Sequence, residues 1–270
     1  MRTFAFVTDL HFGPLASFEG KLRKLSHEAP ALLHGVIERL RAEEHLDLLV
    51  NLGDDIEDEG PALDRARYLD CQRILRSAPC PVLNVAGNHD TVHLSIEDLN
   101  EAWGRRGPLY YSLDLGEFHL VVLHTVERKD QDVRIDPGQL EWLREDLART
   151  SLDTLVFMHH SASEQDLGDA RWFHKAPHLA LVRERAQLRQ ILLESRKVRA
   201  VFNGHVHRNH LDLIDGIPYI TIQSLIENLD DDAPGRPAAA HAIARIDAHR
   251  LVIRVHGQDP ARYQIEHRRP

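Results

Sequence analysis

The sequence predicts an α/β fold in which two packed sheets carry helices on their outer faces. Three observations lead there. Strand-like apolar runs alternate with segments of helical period through the first third of the chain. The pattern then turns hairpin-rich. No long linker, internal repeat or low-complexity segment interrupts the 270 residues, so the span 1–270 reads as one domain.

The elements follow in order. Phe4 to Thr8 reads as a first strand. Leu32, Leu33, Val36, Ile37 and Leu40 recur at helical spacing. Leu46 to Leu52 is a second strand ending at Gly53, and Leu63, Ala66, Leu69, Ile74 and Leu75 mark a helix. Pro81 to Ala86 is a third strand ending at Gly87. Leu109–Leu115 and Phe118–Leu123 alternate around Gly116-Glu117, a hairpin signal. Asp136-Pro137 is a cap and first-turn pair for a helix carrying Leu140, Leu143 and Leu147. A strand over Leu155–Met158 leads into His159. A helix carries Leu181, Leu188, Ile191 and Leu192, and the strand Val198–Phe202 leads into Asn203-Gly204. The remainder reads as antiparallel: Leu211–Ile214, Ile217–Ile222, Ala242–Ile246 and Leu251–Val255, with a loop over Asp230–Pro237.

Bulk properties narrow the function. A 43% hydrophobic content supports a sizeable core, and no window of 18 apolar residues exists to span a membrane. The first apolar run is too short for a signal-peptide core, so a cytoplasmic protein is expected. The net charge of -9 comes with no basic stretch, which argues against a long nucleic-acid partner. Bound metals can still supply positive charge to a small phosphate substrate. Cys71 and Cys80 have no CxxC spacing and read as ordinary thiols, so a metal site here must use oxygen and nitrogen ligands.

Five polar clusters sit where strand-like runs end: Asp9-Leu10-His11, Gly53-Asp54, Gly87-Asn88-His89-Asp90, His159-His160 and Gly204-His205-Val206-His207. Alternate residues of an extended chain point the same way. Asp9 with His11 can therefore grip one ion, and His205 with His207 would be aimed together. Singly each cluster is weak: a Gly-Asp pair is usually a turn, and a lone HxH is more often two ordinary histidines. Together they follow five strands whose interiors are otherwise apolar, and ligands of α/β sheets collect at the carboxyl ends of strands.

This ordered set resembles the calcineurin-like metallophosphoesterases, from the first strand to at least Ser224. The resemblance implies a four-layer α/β/β/α sandwich of two mixed β-sheets flanked by helices, with the metal site at the strand ends. It implies that Asp9, His11, Asp54 and His207 hold one divalent ion. Asp54, Asn88, His159 and His205 hold the second, with Asp54 bridging through its two oxygens. Mn²⁺ or a mixed Fe/Mn pair is favoured, with Zn²⁺ or Co²⁺ also compatible with these ligands. The expected reaction is attack of a metal-bridging hydroxide on the phosphorus of a small phosphodiester. A phosphomonoesterase or nucleotide diphosphate hydrolase using the same site is the alternative, and a non-catalytic scaffold should have lost ligands that this chain keeps. Small bacterial phosphodiesterases of the cyclic-nucleotide and glycerophosphodiester types are the nearest in length and layout.

The resemblance also implies that His89 faces the substrate and protonates the leaving oxygen or stabilises the transition state, oriented by Glu57. Asn88 and His160 are expected near the substrate. Glu57 stands where purple acid phosphatases place a metal-bound Tyr, so no iron–tyrosinate colour is expected. His159 is followed by His160-Ser161 where proline is usual, and His159 is favoured as the ligand. Asp90 reads as a turn-stabilising residue and His124 as a hydrogen-bonded histidine. The segment Ser161–Ala180 reads as a substrate-shaping lid or as an excursion covering the sheet edge.

Overall fold

In a computed structural model, which describes residues 1–43 and 45–266, two six-stranded mixed sheets pack face to face. The last four residues of the expected single domain lie outside the described residues. The first sheet runs, edge to edge, Ala261–Glu266, Arg250–His256, His241–Ile246, Arg2–Val7, Leu48–Asn51 and Val82–Asn84. The second runs His210–Ile214, Ile217–Thr221, Val198–Asn203, Asp153–Phe157, Phe118–Val122 and Tyr111–Leu115.

Strand parity builds the layers. Phe4 and Phe6 point between the sheets, where Phe6 meets Phe157 and Phe202. Ala5 and Val7 point outward, under helices α1 (Ala29–Leu40) and α2 (Pro61–Leu75). On the second sheet Leu155 and Phe157 face inward, while Val156 and Val201 pack outward against α5 (Pro137–Arg149) and α6 (Arg185–Ser195). These strands are buried on both faces, which is why they read as apolar runs rather than clean alternations. The result is the expected α/β/β/α arrangement.

Helix starts follow local chemistry. Asp136 accepts from Gly138 N–H (2.8 Å) and Gln139 N–H (3.2 Å), with Pro137 at the first helical position. Ser95 and Asp98 form a capping box that opens α4 (Ile96–Trp103), and a single turn, α3 (Asp90–His93), precedes it.

Several elements differ from the sequence reading. Ile217–Thr221 is antiparallel to His210–Ile214 but parallel to Val198–Asn203. The edge strand Ala261–Glu266 and two small hairpins, Ala16–Phe18/Lys21–Lys24 and Val126–Arg128/Asp132–Arg134, were not anticipated. None of the described helices is long and apolar enough to cross a membrane.

Parallel pairing places the site. Arg2–Val7, Leu48–Asn51 and Val82–Asn84 are parallel neighbours, as are Phe118–Val122, Asp153–Phe157 and Val198–Asn203. Their carboxyl ends open on one edge of the sandwich. There the two sheets are tied: His159 Nδ1 meets the Leu52 carbonyl at 2.8 Å, and the His205 N–H donates to the Asp9 carboxylate at 2.9 Å.

Candidate metal centre

The clusters at these strand ends have an unusual backbone. Asp9, His11, Asp54, His205 and His207 all have positive φ, between 45° and 66°. Side chains other than glycine pay about 1 kcal/mol or more for that region. Five such residues at one edge are held there by the surrounding fold. Asp9 and His11 therefore do not converge by strand alternation, and neither do His205 and His207. Two glycines make the close approach possible: a Cβ on Gly87 would overlap the Asp54 carboxylate, and one on Gly204 would overlap Thr8 and Asp9.

The side chains form two sets that share Asp54. In the first, His11 Nε2 lies 3.2 Å from His207 Nε2, 3.7 Å from Asp54 Oδ2 and 3.9 Å from Asp9 Oδ1. His207 Nε2 is 3.4 Å from Asp9 Oδ1. In the second, His159 Nε2 lies 3.1 Å from Asn88 Oδ1, 3.2 Å from His205 Nδ1 and 3.2 Å from Asp54 Oδ2. Asp54 Oδ2 thus faces both sets, while Oδ1 accepts the His89 N–H at 3.0 Å. The two sets therefore meet at one oxygen of Asp54.

Hydrogen bonds on the far side of each ring fix which nitrogen faces inward. His159 donates from Nδ1 to Leu52, His205 from Nε2 to the Leu179 carbonyl (3.0 Å), and His207 from Nδ1 to Glu227 Oε2 (2.8 Å). His11 Nδ1 lies 3.3 Å from both Glu57 Oε1 and Lys24 Nζ. The inward nitrogens of His159, His205 and His207 then present lone pairs to other lone pairs. Such a buried crowd of acceptors needs cations among it, either protons or metals. Ligands about 2.0–2.2 Å from one ion stand roughly 3.0–3.5 Å apart, close to the spacing here. The donor set fits metal ions.

Without metal, protons fill that role. Burial disfavours the charged form of His159, but Asp54 and Asp9 outweigh it and hold its pKa up at about 10. Burial opposes the charge on His207 in the same way, and Asp9 and Glu227 hold it up at about 9. His205 goes the other way, pushed to about 3 by burial and by the charge on His159. Asp54 is held well below the usual carboxylate range despite its burial, by His159, His89 and His11.

The remaining expected residues divide. His89 lies on the cavity wall, with its ring 4.8 Å from that of His11. Its Nδ1 meets Asp58 Oδ1 at 2.5 Å, while Glu57, the expected partner, is 3.7 Å away. Glu57 is instead drawn to the buried Lys24 ammonium (2.8 Å) and to His11. His160 is fully buried rather than turned to substrate, with Nδ1 2.7 Å from Thr125 Oγ1 and its ring against that of His205. Asp90 is a turn-stabiliser as expected, accepting the N–H groups of Gly87, Asp54 and Asp55 at 2.8–3.0 Å. The ring of His124 has no partner at Nδ1; it lines the cavity, and burial and His159 push its pKa to about 4.

Lys24, Asp58 and Glu227 were missed by the sequence reading. A glutamate inside the apolar run Ser224-Leu225-Ile226-Glu227 was the one available signal for a buried carboxylate. The 161–180 segment contributes Trp172, Phe173 and Leu179 to the cavity wall, and the Trp172 indole N–H donates to the same Glu227 oxygen at 2.9 Å.

Comparison with known proteins agrees with this fold. The model of the calcineurin-like phosphoesterase family matches residues 2–209. The chain is 28% identical over 213 residues to a probable cyclic nucleotide phosphodiesterase of Synechococcus, covering 76% of this chain and 73% of that protein. It is 25% identical to a probable cyclic nucleotide phosphodiesterase of Psychrobacter arcticus, covering 63% of this chain and 60% of that one. Among solved structures, a dimetal phosphatase from Danio rerio superposes with a TM-score of 0.80 at 16% identity, covering 99% of both chains. A purple acid phosphatase from yellow lupin gives 0.64 at 14% identity, covering 98% of this chain and 53% of that one. At such identities these two speak for the fold. With the family model matched over residues 2–209 and side chains at the strand ends whose donors fit metal ions, the chain belongs to the calcineurin-like phosphoesterases and is a metal-dependent phosphoric ester hydrolase.

Proposed function

We propose that the chain is a phosphodiesterase with a dinuclear centre. Asp9, His11, Asp54 and His207 would hold one ion, and Asp54, Asn88, His159 and His205 the other. The observation that carries this reading is Asp54 Oδ2, which faces both imidazole sets at 3.2–3.7 Å. Two bound ions would supply positive charge to the phosphoryl oxygens and lower the pKa of water to give a nucleophile. A Mn²⁺ or mixed Fe/Mn pair suits these oxygen and imidazole donors.

The chain's own groups do the rest. Asp58 holds His89 Nδ1, which leaves Nε2 as the nitrogen to give a proton to the leaving oxygen. Glu57 orients His11 rather than His89, and Glu227 orients His207. Lys24 lines the cavity, but Glu57 compensates its charge. What favours a diester is the names of the two bacterial relatives, each a probable cyclic nucleotide phosphodiesterase. Hydrophobic clusters between the sheets and under the flanking helices run through the described residues, and we read the chain as one catalytic domain.

The test is hydrolysis of bis(p-nitrophenyl) phosphate beside p-nitrophenyl phosphate, on chelator-stripped enzyme with Mn²⁺ restored. Faster diester cleavage, absent without metal, is expected. Faster monoester cleavage would move the assignment to a phosphatase.

A further inference from the structure

The 161–180 segment is built into the candidate metal centre. Just past its end, the Val182 N–H donates to the Ser161 carbonyl at 2.9 Å and closes the segment into a compact loop. Leu167, Ala170 and Ala180 form a small apolar core of its own, and Val206 is buried in that same core. Val206 stands between His205 and His207, so the segment packs directly on the motif that supplies one imidazole to each set.

On either side of Val206 the segment also holds an imidazole in place. His205 donates from Nε2 to the Leu179 carbonyl at 3.0 Å, with the Phe173 ring 4.8 Å away. His207 donates from Nδ1 to Glu227 Oε2 at 2.8 Å, and the Trp172 indole N–H donates to that same oxygen at 2.9 Å. Glu227 is fully buried, and Arg171 Nη1 stands 3.5 Å from its other oxygen, which accepts no hydrogen bond among the described residues. A buried carboxylate turns toward the donors that complete it. The indole N–H therefore keeps Oε2 on the His207 side against the pull of Arg171. The Trp172 ring stands on the cavity wall, edge-on to His207 at 5.6 Å and beneath the Lys24 ammonium at 5.2 Å.

We propose that Trp172 is a positioning residue for the ion held by Asp9, His11, Asp54 and His207, acting through Glu227. Without the indole N–H, Glu227 swings toward Arg171, and His207 loses the acceptor that aims its Nε2 into the site. The second ion keeps its ligand His205, which is held by a main-chain carbonyl and not by Glu227. The inference rests on the dinuclear reading above and adds to it a residue that comes from the cavity wall.

The test is Mn²⁺ titration of chelator-stripped protein, followed by calorimetry and by electron paramagnetic resonance, which separates a coupled pair of ions from a lone one. Trp172→Phe keeps an aromatic ring and removes the N–H. It should weaken one binding step about tenfold and leave the other alone. At Mn²⁺ concentrations that fill both sites in wild type, its spectrum should be that of a lone ion. Trp172→His should recover the lost affinity, because imidazole Nε2 takes the same ring position relative to Cγ as indole Nε1. Lys175→Ala, on the same segment, removes only the exposed ion pair with Glu19 and should leave both steps unchanged. Unchanged steps in Trp172→Phe, an equal loss of both ions, or no recovery in Trp172→His would overturn the positioning role and leave the metal reading standing. Wild type that takes up no second ion would overturn the dinuclear reading, and the inference with it.

Discussion

Loading the metal-free protein with Mn²⁺ should expel about two protons per chain from its imidazoles near pH 7.5, and one more if a bound water ionises. The number follows from the site. His159 and His207, with pKa values of about 10 and about 9, both carry a proton at that pH. His205, at about 3, carries none. A metal ion needs the lone pair that each proton occupies. At pH 9.5, midway between the two values, the imidazole share should fall to about one, and well above pH 10 only the proton of an ionised water should remain. The sign for stability is the same. Both folded values lie above the ordinary 6.5, so these protons stabilise the metal-free fold fully below pH 6.5. That contribution is lost as pH rises through about 9 and then about 10. The assay is isothermal titration of chelator-treated protein in buffers of different ionisation enthalpy, at pH 7.5 and 9.5. Release near zero at pH 7.5 would show that both imidazoles are neutral before loading, and would refute the charge argument.

Other substitutions test single links. Asp58→Asn should lower turnover by about 10²-fold and shift the pH–rate profile while the metals stay bound. Glu57→Gln should instead weaken metal binding; the opposite pattern in the two variants would restore Glu57 as the partner of His89. Glu227→Ala should cost roughly 10- to 100-fold in metal affinity, because His207 loses its orienting carboxylate; unchanged affinity by competition with a fluorescent chelator would count against that role. Gly87→Ala should displace the Asp54 carboxylate and reduce both metal content and melting temperature, and a fully loaded, active variant would contradict the close approach.

Much of the sandwich was legible because its parallel strands are apolar throughout and end in polar residues that a core would not tolerate. Asp9, Asp54, Asn88, His159 and His205 stand out against Phe6, Val50, Leu83, Phe157 and Phe202 for that reason. The alternation argument for Asp9 and His11 rests on the wrong geometry, since both sit past the end of the strand in left-handed backbone, although the fold does bring their side chains close. Orientation at Glu57-Asp58 could not be read, because adjacent residues point to different sides and the tertiary fold decides which meets His89. Lys24 and Glu227 arrive from a hairpin and a loop whose positions depend on contacts between distant parts of the chain. The Ala261–Glu266 strand does alternate, with Ala261, Tyr263 and Ile265 packed on the core. Its charged partners hide that pattern on an edge where one face stays wet.

The central claim is one site holding two ions that share Asp54, and anomalous diffraction from crystals grown with Mn²⁺ tests it most directly. Two peaks roughly 3.5–4 Å apart are expected, one among Asp9, His11 and His207 and the other among Asn88, His159 and His205, with Asp54 between them. A single peak, or two peaks that do not share Asp54, would contradict the account.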